Sequence, residues 1–386
     1  MHTTENNTYA SKPLTGLKVV ELARILAGPW AGQTLADLGA DVIKIESPAG
    51  DDTRQWGPPN IEQGEHSSAA YFHSCNRGKR SIAANLKNAE ELDRVKKLIS
   101  TADILIENYK VGGLNRFGLD YASLHAINPK LIYCSITGFG QTGPYANRAG
   151  YDFMIQGMSG IMDLTGEPDG SPQKIGVAFA DVFTGLYSVI AIQAALTTRA
   201  LTGKGQHIDM ALFDCMTTVL ANQAMNYLSS GNSPSRMGNM HPNICPYETV
   251  ATSDGHIIIA TGNDGQFHRL CDCIGLSEIK TDERFISNAL RVKHRYELMP
   301  IVNQSTQQWN KSELLQALEN AVVPAGPINT VEEAFNDPQF LYRQLLVDND
   351  GVPGVRTPIM MNGQAMVADT GSPKLGEHQQ ASFEFD

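Results

Sequence analysis

Asp181 is the only charge in "GVAFADVFTG", residues 176–185, where Val177, Ala178, Phe179, Val182 and Phe183 surround it. Removing an ionised carboxylate from water is costly, so a carboxylate in this setting needs a purpose. Two structural purposes suit it. It can cap the helix that starts near Val182 by accepting from backbone N–H groups, or it can pair with a buried arginine. A third purpose is chemical: a carboxylate at a helix N-terminus, partly desolvated among small and apolar neighbours, is poised as a nucleophile.

Other stretches offer weaker chemistry. "NRGKRS" (76–81) holds Arg77, Lys79 and Arg80 and reads as a solvated turn, although such a run can also grip phosphates. "IENYKVGGLNRFG" (106–118) places Asn108 and Tyr109 just past a strand, then two glycines, then Arg116. The carboxyl ends of parallel strands are where ligands bind, with ordinary loop chemistry as the rival reading. In "GDDTRQWGPP" (50–59) the acidic pair beside Arg54 reads as a local ion pair rather than a catalytic dyad. His241, in "GNMHPN", reads as a polar surface histidine in a loop. No Ser-His-Asp motif, H-E-x-x-H or Walker sequence occurs, and the ten histidines show no metal-ligand spacing. No metal is expected. The six cysteines are scattered and read as reduced thiols.

These residues need elements to position them. "GLKVVEL" (16–22), "GPWAGQTLADLGA" (28–40) and "DVIKIE" (41–46) read as strand, helix, strand: a βαβ unit. "NAEELDRVKKLISTA" (88–102) is an amphipathic helix, with Asn88 and Glu91 spaced as a capping box. "DILIENY" (103–109) and "KLIYCSITGFG" (130–140) read as further buried strands. Alternation of this kind predicts a mostly parallel sheet covered on both faces. After Asp181 comes an apolar helix over 182–201, then a strand at "HIDMALF" (207–213), then helix again. From about residue 230, "SGNSPSRMGNMHPNICP" has linker chemistry, followed by a hairpin around Ser253-Asp254-Gly255 and helices at 264–274, 292–304 and 311–320. A second, smaller α+β domain follows from that change of texture.

The first βα turn, "LARILAGPWAG", lacks G-x-G-x-x-G, which argues against a nicotinamide enzyme. Its helix N-terminus still offers free N–H groups to an anion or carbonyl, or is a plain tight turn. The formal net charge of −11 disfavours a nucleic-acid or anionic-membrane partner. "MHTTENNTYASKP" lacks the order of a signal peptide, and the stretch around "LYSVIAIQAAL" reads as too short and interrupted to span a bilayer. A cytoplasmic protein is expected.

Eight landmarks occur in order: "ILAGPWAGQTLADLGADVIKIE", "GDDTRQWGPP", "NRGKRSIAANLK", "IENYKVGGLNRFGL", "YCSITGFGQTGPYANRAGYD", "FADVFTG", "TGKGQHIDMALFD" and "VPAGPINTVEEAFNDPQ". On these the whole chain resembles the class III CoA-transferases, the family of formyl-CoA transferase and carnitine CoA-transferase. Within it, "GDDTRQWGPP", "YCSITGFGQTGP", "RAGYD" and "GNDGQF" resemble the succinate–hydroxymethylglutarate branch.

The resemblance implies a Rossmann-like large CoA-binding domain, residues 1–225 with 331–386, and a small domain with linkers, 226–330. It also implies an interlocked homodimer. It makes Asp181 the nucleophile that attacks an acyl-CoA thioester, giving an aspartyl anhydride and then an aspartyl-CoA thioester. The expected donor is succinyl-CoA or another dicarboxylyl-CoA and the acceptor a small carboxylic acid. No permanently bound cofactor is expected; coenzyme A enters as a thioester substrate. Leu26, Ala27, Ala84, Lys87, Asn108, Tyr109, Arg116, Arg148, Tyr151 and Asp152 match positions that contact CoA in the family. Gly238 and His241 match a loop over the intermediates, in a stretch where relatives carry more glycine. The family's α-methylacyl-CoA racemases have a histidine where this chain has Tyr151, so an isomerase would lack its base. A catalytically idle CoA-binding module is the alternative of another class.

Overall fold

The computed structural model describes residues 12–383, so the leader reading of "MHTTENNTYASKP" falls largely outside the described residues. Six short strands build the main sheet: β1 (Lys18–Glu21), β2 (Asp41–Glu46), β3 (Lys79–Ala83), β4 (Ile104–Glu107), β5 (Ile132–Thr137) and β6 (His207–Ala211). All neighbours are parallel and the spatial order is β3-β2-β1-β4-β5-β6. This is the doubly wound order, whose strand sequence reverses between β1 and β4 and opens a crevice at their carboxyl ends.

Alternate residues of each strand feed two cores. Val19, Ile104, Ile106, Ile132 and Cys134 face one side, while Val20, Leu105 and Tyr133 face the other. The first side is covered by α1 (Ala27–Asp37) and α5 (Phe179–Thr202), the second by α2 (Ala89–Ser100) and α3 (Tyr121–Ile127). Asn88 caps α2, accepting from the N–H groups of Glu90 and Glu91 at 2.9 and 3.3 Å. The expected capping box closes only halfway, because the Glu91 carboxylate accepts from the Asn85 N–H at 2.7 Å instead.

The stretch read as too interrupted to span a bilayer is one continuous helix. α5 has 24 residues and reaches a mean hydropathy of 1.5, long and apolar enough to cross a membrane by length and composition. Only part of it is buried: Ala180, Thr184, Ser188, Val189, Ile192 and Ala195 enter the core, while Leu186 and Ile190 are exposed. The helix read beyond β6 is two, α6 (Leu212–Thr218) and α7 (Ala221–Ser230), broken at Ala221, where φ is 48°.

The chain divides into two compact units. One comprises residues 1–161, 174–230 and 341–386; the other comprises 162–173 and 231–340. The second thus takes up a short segment ahead of Asp181 that the expected boundaries had left with the large domain. It holds a three-stranded antiparallel sheet, ordered β9 (Ala325–Pro327), β8 (Gly255–Ala260), β7 (Tyr247–Thr252). Phe267, Leu270, Phe285, Leu298 and Leu314 pack into its own core.

Candidate active site

Asp181 stands in the first turn of α5. The N-cap position is Ala178, which has no side chain able to cap the helix. Asp181 is therefore three residues inside the helix start, not its cap, and no arginine pairs with it among the described residues. Neither structural purpose for the carboxylate holds. The backbone N–H of Ala27, at the start of α1, faces it and favours its charged form. Desolvation is the main reason its pKa is pushed up from 3.8 to about 7; the Asp152 carboxylate adds to the rise and the Ala27 N–H opposes it.

Packing explains the meeting of the two helix starts. Gly185 lies one turn after Asp181, on the same face of α5. A Cβ there would sit 2.7 Å from the Ala27 carbonyl oxygen and 3.1 Å from the Trp30 side chain. Only glycine lets α5 lie this close to α1, and the close approach sets Asp181 against the Ala27 N–H. Asp152 begins helix α4 (Asp152–Met158) and accepts from the Ala180 N–H at 2.8 Å and from Gln156 Nε2 at 2.7 Å. It caps α5 from outside and keeps a second carboxylate near Asp181.

Asp181 lines a cavity of about 640 Å³ at the switch point. Its wall comes from the segments after β1 (Arg24, Ile25, Ala27) and after β4 (Asn108 to Gly113 and Arg116) and from the carboxyl end of β5 (Ile136 to Gly138), with Ala146 to Asp152 and Leu212 closing it. Four cations, Arg24, Lys110, Arg116 and Arg148, and three carboxylates, Asp52, Asp152 and Asp181, line it. Arg24 is paired with Asp52 at 2.8 Å. Arg148 stacks over the Tyr145 ring at 4.6 Å and the Phe139 ring at 5.5 Å, and Arg116 over Phe117 at 4.6 Å. Neither Arg116 nor Arg148 is paired with a carboxylate among the described residues. A larger cavity of about 760 Å³ lies elsewhere, and its Lys12 and Asp369 neutralise each other at 2.8 Å. It offers no chemistry comparable to the smaller one.

Of the residues singled out from the sequence, Ala27, Asn108, Tyr109, Arg116, Arg148, Tyr151, Asp152 and Asp181 come together around this cavity. Leu26 is buried beside it as the N-cap residue of α1. Ala84 is buried and Lys87 exposed, both outside the lining. Gly238 and His241 belong to the second unit. There Gly238, at φ 59°, donates to the Gly166 carbonyl at 3.0 Å, and His241 Nδ1 accepts from the Asn243 N–H at 3.1 Å.

Two sequence readings are corrected. "NRGKRS" is not a solvated turn: Arg77 pairs with Asp37 at 2.7 Å and Lys79 with Glu21 at 2.8 Å, and Arg77, Lys79 and both carboxylates are buried. The acids of "GDDTR" are not a local pair for Arg54 either. Arg54 reaches Glu46 at 2.8 Å, Asp51 reaches the buried Lys44 at 3.0 Å, and Asp52 reaches Arg24. Glu46 and Lys44 lie on β2, the strand just before this loop, and Arg24 lies just past β1. The cavity residues that sequence reasoning did not single out include Arg24, Ile25, Asp52, Lys110 and Thr137. A charged residue directly after a strand was the available signal for Arg24; Ile25 gave none.

A doubly wound sheet with its crevice at the switch point, an under-solvated carboxylate and arginines free of carboxylate partners are the features of a group-transfer site for an anionic ligand. The model of CoA-transferase family III matches residues 14–379, and the chain belongs to that family. The succinate–glutarate CoA-transferase of Agrobacterium fabrum is 60% identical over 375 residues, covering 95% of this chain and 94% of that one. The human succinyl-CoA:glutarate CoA-transferase is 40% identical over 373 residues, covering 95% of this chain and 84% of its own. A crystal structure of a CAIB/BAIF family protein from Brucella suis superposes with a TM-score of 0.87 at 65% identity, covering 96% of this chain and 98% of that one. The protein is a CoA-transferase.

Proposed function

We propose that this chain moves CoA from succinyl-CoA, or a similar dicarboxylyl-CoA, to a dicarboxylic acid of about glutarate's size, with Asp181 as the covalent nucleophile. The observation that carries the reading is the half-buried carboxylate of Asp181, without a cationic partner of its own, in a cavity lined also by Arg116 and Arg148. The relatives named for succinate and glutarate support the substrate class.

Asp181 Oδ attacks the thioester carbonyl. The C–S bond breaks, CoA leaves as thiolate, and an aspartyl–succinyl anhydride remains. The thiolate attacks Cγ of Asp181, the C–O bond to succinate breaks, and an aspartyl-CoA thioester forms. The acceptor carboxylate attacks the same Cγ and expels CoA thiolate, which then attacks the acceptor's acyl carbon and frees Asp181. An anhydride is at least as activated as a thioester, so no step needs ATP. The Ala27 N–H, at a helix N-terminus, faces the oxygen that becomes negative whenever Cγ is tetrahedral. Apolar surroundings limit hydrolysis of the anhydride.

Arg116 and Arg148 are placed to meet CoA's phosphates or the substrate's distal carboxylate as charge-assisted partners. Lys87, Ala84 and Leu26 are assigned by family likeness to the outer part of the same CoA path, and Gly238 and His241 to the loop over the intermediates. The reading includes a homodimer, supported by exposed apolar side chains of the first unit, Phe153, Met154, Leu186 and Ile190.

Incubation with succinyl-CoA followed by hydroxylamine tests the mechanism. Mass spectrometry should find the hydroxamate on the Asp181 peptide, and the Asp181→Ala protein should carry none. An unmodified Asp181 peptide with every acyl-CoA donor tried would remove the covalent route.

A further inference from the structure

The turn that aims the Ala27 N–H is not built from a residue that prefers its shape. Between β1 and α1 the chain turns at Ile25, whose φ is 70°, in the left-handed region. For a β-branched residue this conformation is strained and persists only where the surroundings over-determine it.

Those surroundings are side chains from other elements. The Ile25 N–H donates to both oxygens of Asp51, at 3.3 and 3.2 Å. The Ile25 carbonyl accepts from the Cys75 thiol at 3.5 Å. On the other flank, the Arg24 N–H donates to Asn108 Oδ1 at 2.9 Å, and the Arg24 carbonyl accepts from Asn108 Nδ2 at 2.7 Å.

Asp51 is itself immobile. It is 1% exposed, accepts from the Thr53 N–H and hydroxyl at 3.0 and 2.8 Å, and pairs with Lys44 at 3.0 Å. Lys44 is in turn locked by Glu21 at 3.0 Å and by the Ala23 carbonyl at 2.7 Å. A rigid anion thus grips the one peptide in the turn that is strained. Two residues further on, Ala27 lines the same cavity as Asp181, its peptide is packed against Gly185 one turn after Asp181, and its N–H faces that carboxylate.

We propose that Asp51 is a positioning residue: by holding Ile25 in the left-handed conformation it aims the Ala27 N–H at Asp181. If Ile25 relaxes to negative φ, the chain direction between Arg24 and α1 changes and that N–H turns away from the carboxylate. The consequence for turnover rests on the nucleophile reading above; the geometric linkage does not.

The test compares wild type with Asp51→Asn, Ile25→Gly in the Asp51→Asn background, and Asp51→Glu. The single amide oxygen of an asparagine goes to the Lys44 ammonium, leaving its NH2 against the Ile25 N–H. Asp51→Glu keeps the charge beside Lys44 but carries its oxygens past the Ile25 N–H, and serves if Asp51→Asn does not fold. Each single variant should lower kcat with succinyl-CoA and glutarate by about 10- to 100-fold. KM should stay within about threefold, because Arg116 and Arg148 are untouched. Glycine takes φ 70° without support, so Ile25→Gly should recover most of the lost kcat.

A second readout needs no turnover. Carboxyl NMR titration of Asp181 should shift upward in Asp51→Asn and return in the double variant, since a lost N–H donor favours the protonated acid. If that titration does not move in either folded single variant, the proposal is overturned. The same holds if kcat falls without rescue by glycine. A titration that moves while Asp181 forms no hydroxamate in wild type keeps the positioning role and sinks the nucleophile reading alone.

Discussion

Two carboxylates of the first unit, the buried Asp51 and the half-buried Asp181, are treated in opposite ways. Asp51 sits beneath the sheet's crevice with Lys44, two donors from Thr53 and the Ile25 N–H, so every lone pair it presents is answered. Burial raises its pKa, but Lys44 and the Thr53 donors outweigh burial and hold it below its ordinary value. Asp181 at the crevice mouth has one N–H and a neighbouring acid, so burial wins and the group is pushed up to about 7. The same residue type becomes framework when its charge is met and a reactive group when it is not. Burial alone does not separate the two; the partner count does.

The widest break of that comparison is removal of the under-served carboxylate. Asp181→Ala should cut CoA transfer by about 10⁴-fold or more, measured as glutaryl-CoA formed from succinyl-CoA and glutarate. Its unfolding transition should not fall, since no buried charge loses a counter-ion. A variant retaining a tenth of wild-type turnover would place the chemistry elsewhere.

Breaking the well-served side should damage the fold instead. Lys44→Met leaves Glu21 and Asp51 without their shared cation in a site from which water is excluded. A loss of about 3–5 kcal/mol in urea unfolding is expected. A loss under 1 kcal/mol would mean that the two carboxylates protonate cheaply and that Asp51 is not the fixed anion described here.

The pH dependence sharpens the contrast. The pKa of Asp181 in the folded state lies above its unfolded value, so folding favours the protonated form. Its ionisation therefore costs stability progressively as pH rises from about 4 through about 7. Asp181→Asn should be more stable than wild type at pH 8 by about 1–3 kcal/mol, and the gap should close near pH 4. Attack requires the ionised form, so kcat/KM should climb across the same window and level off above it. A flat profile between pH 5 and 8 would contradict the raised value.

Much of this was legible in the sequence, for reasons that differ by element. The strands of the main sheet stand out because both faces are buried and "DVIKIE" or "DILIENY" leave little alternation to misread. Asp181 stands out because a lone charge in "FADVF" has no local partner. What stayed hidden depends on partners far apart in the chain. Arg77 and Lys79 look like a basic turn until strand β3 pairs with β2 and carries them onto Asp37 and Glu21. Asp51 looks like half of an acidic pair until Lys44 is brought against it. Ile25's backbone conformation leaves no trace in residue type, because here the neighbours, not propensity, impose it.

The mildest variant tests the cations at the rim. Arg148 stacks on Tyr145 and Phe139 and owes no charge to a protein carboxylate among the described residues, so its charge is available to an anionic ligand. Arg148→Lys keeps the charge but loses the planar stack that orients it. It should raise KM for succinyl-CoA by about three- to tenfold with kcat nearly unchanged. That rise should shrink as salt screens the wild-type contact. Arg24, already neutralised by Asp52, should show a weaker salt response when replaced. If Arg148→Lys lowered kcat and left KM alone, the cation would be acting on the transition state at Asp181 rather than on the bound ligand. The line between framework charge and working charge would then run through the rim as well as beneath it.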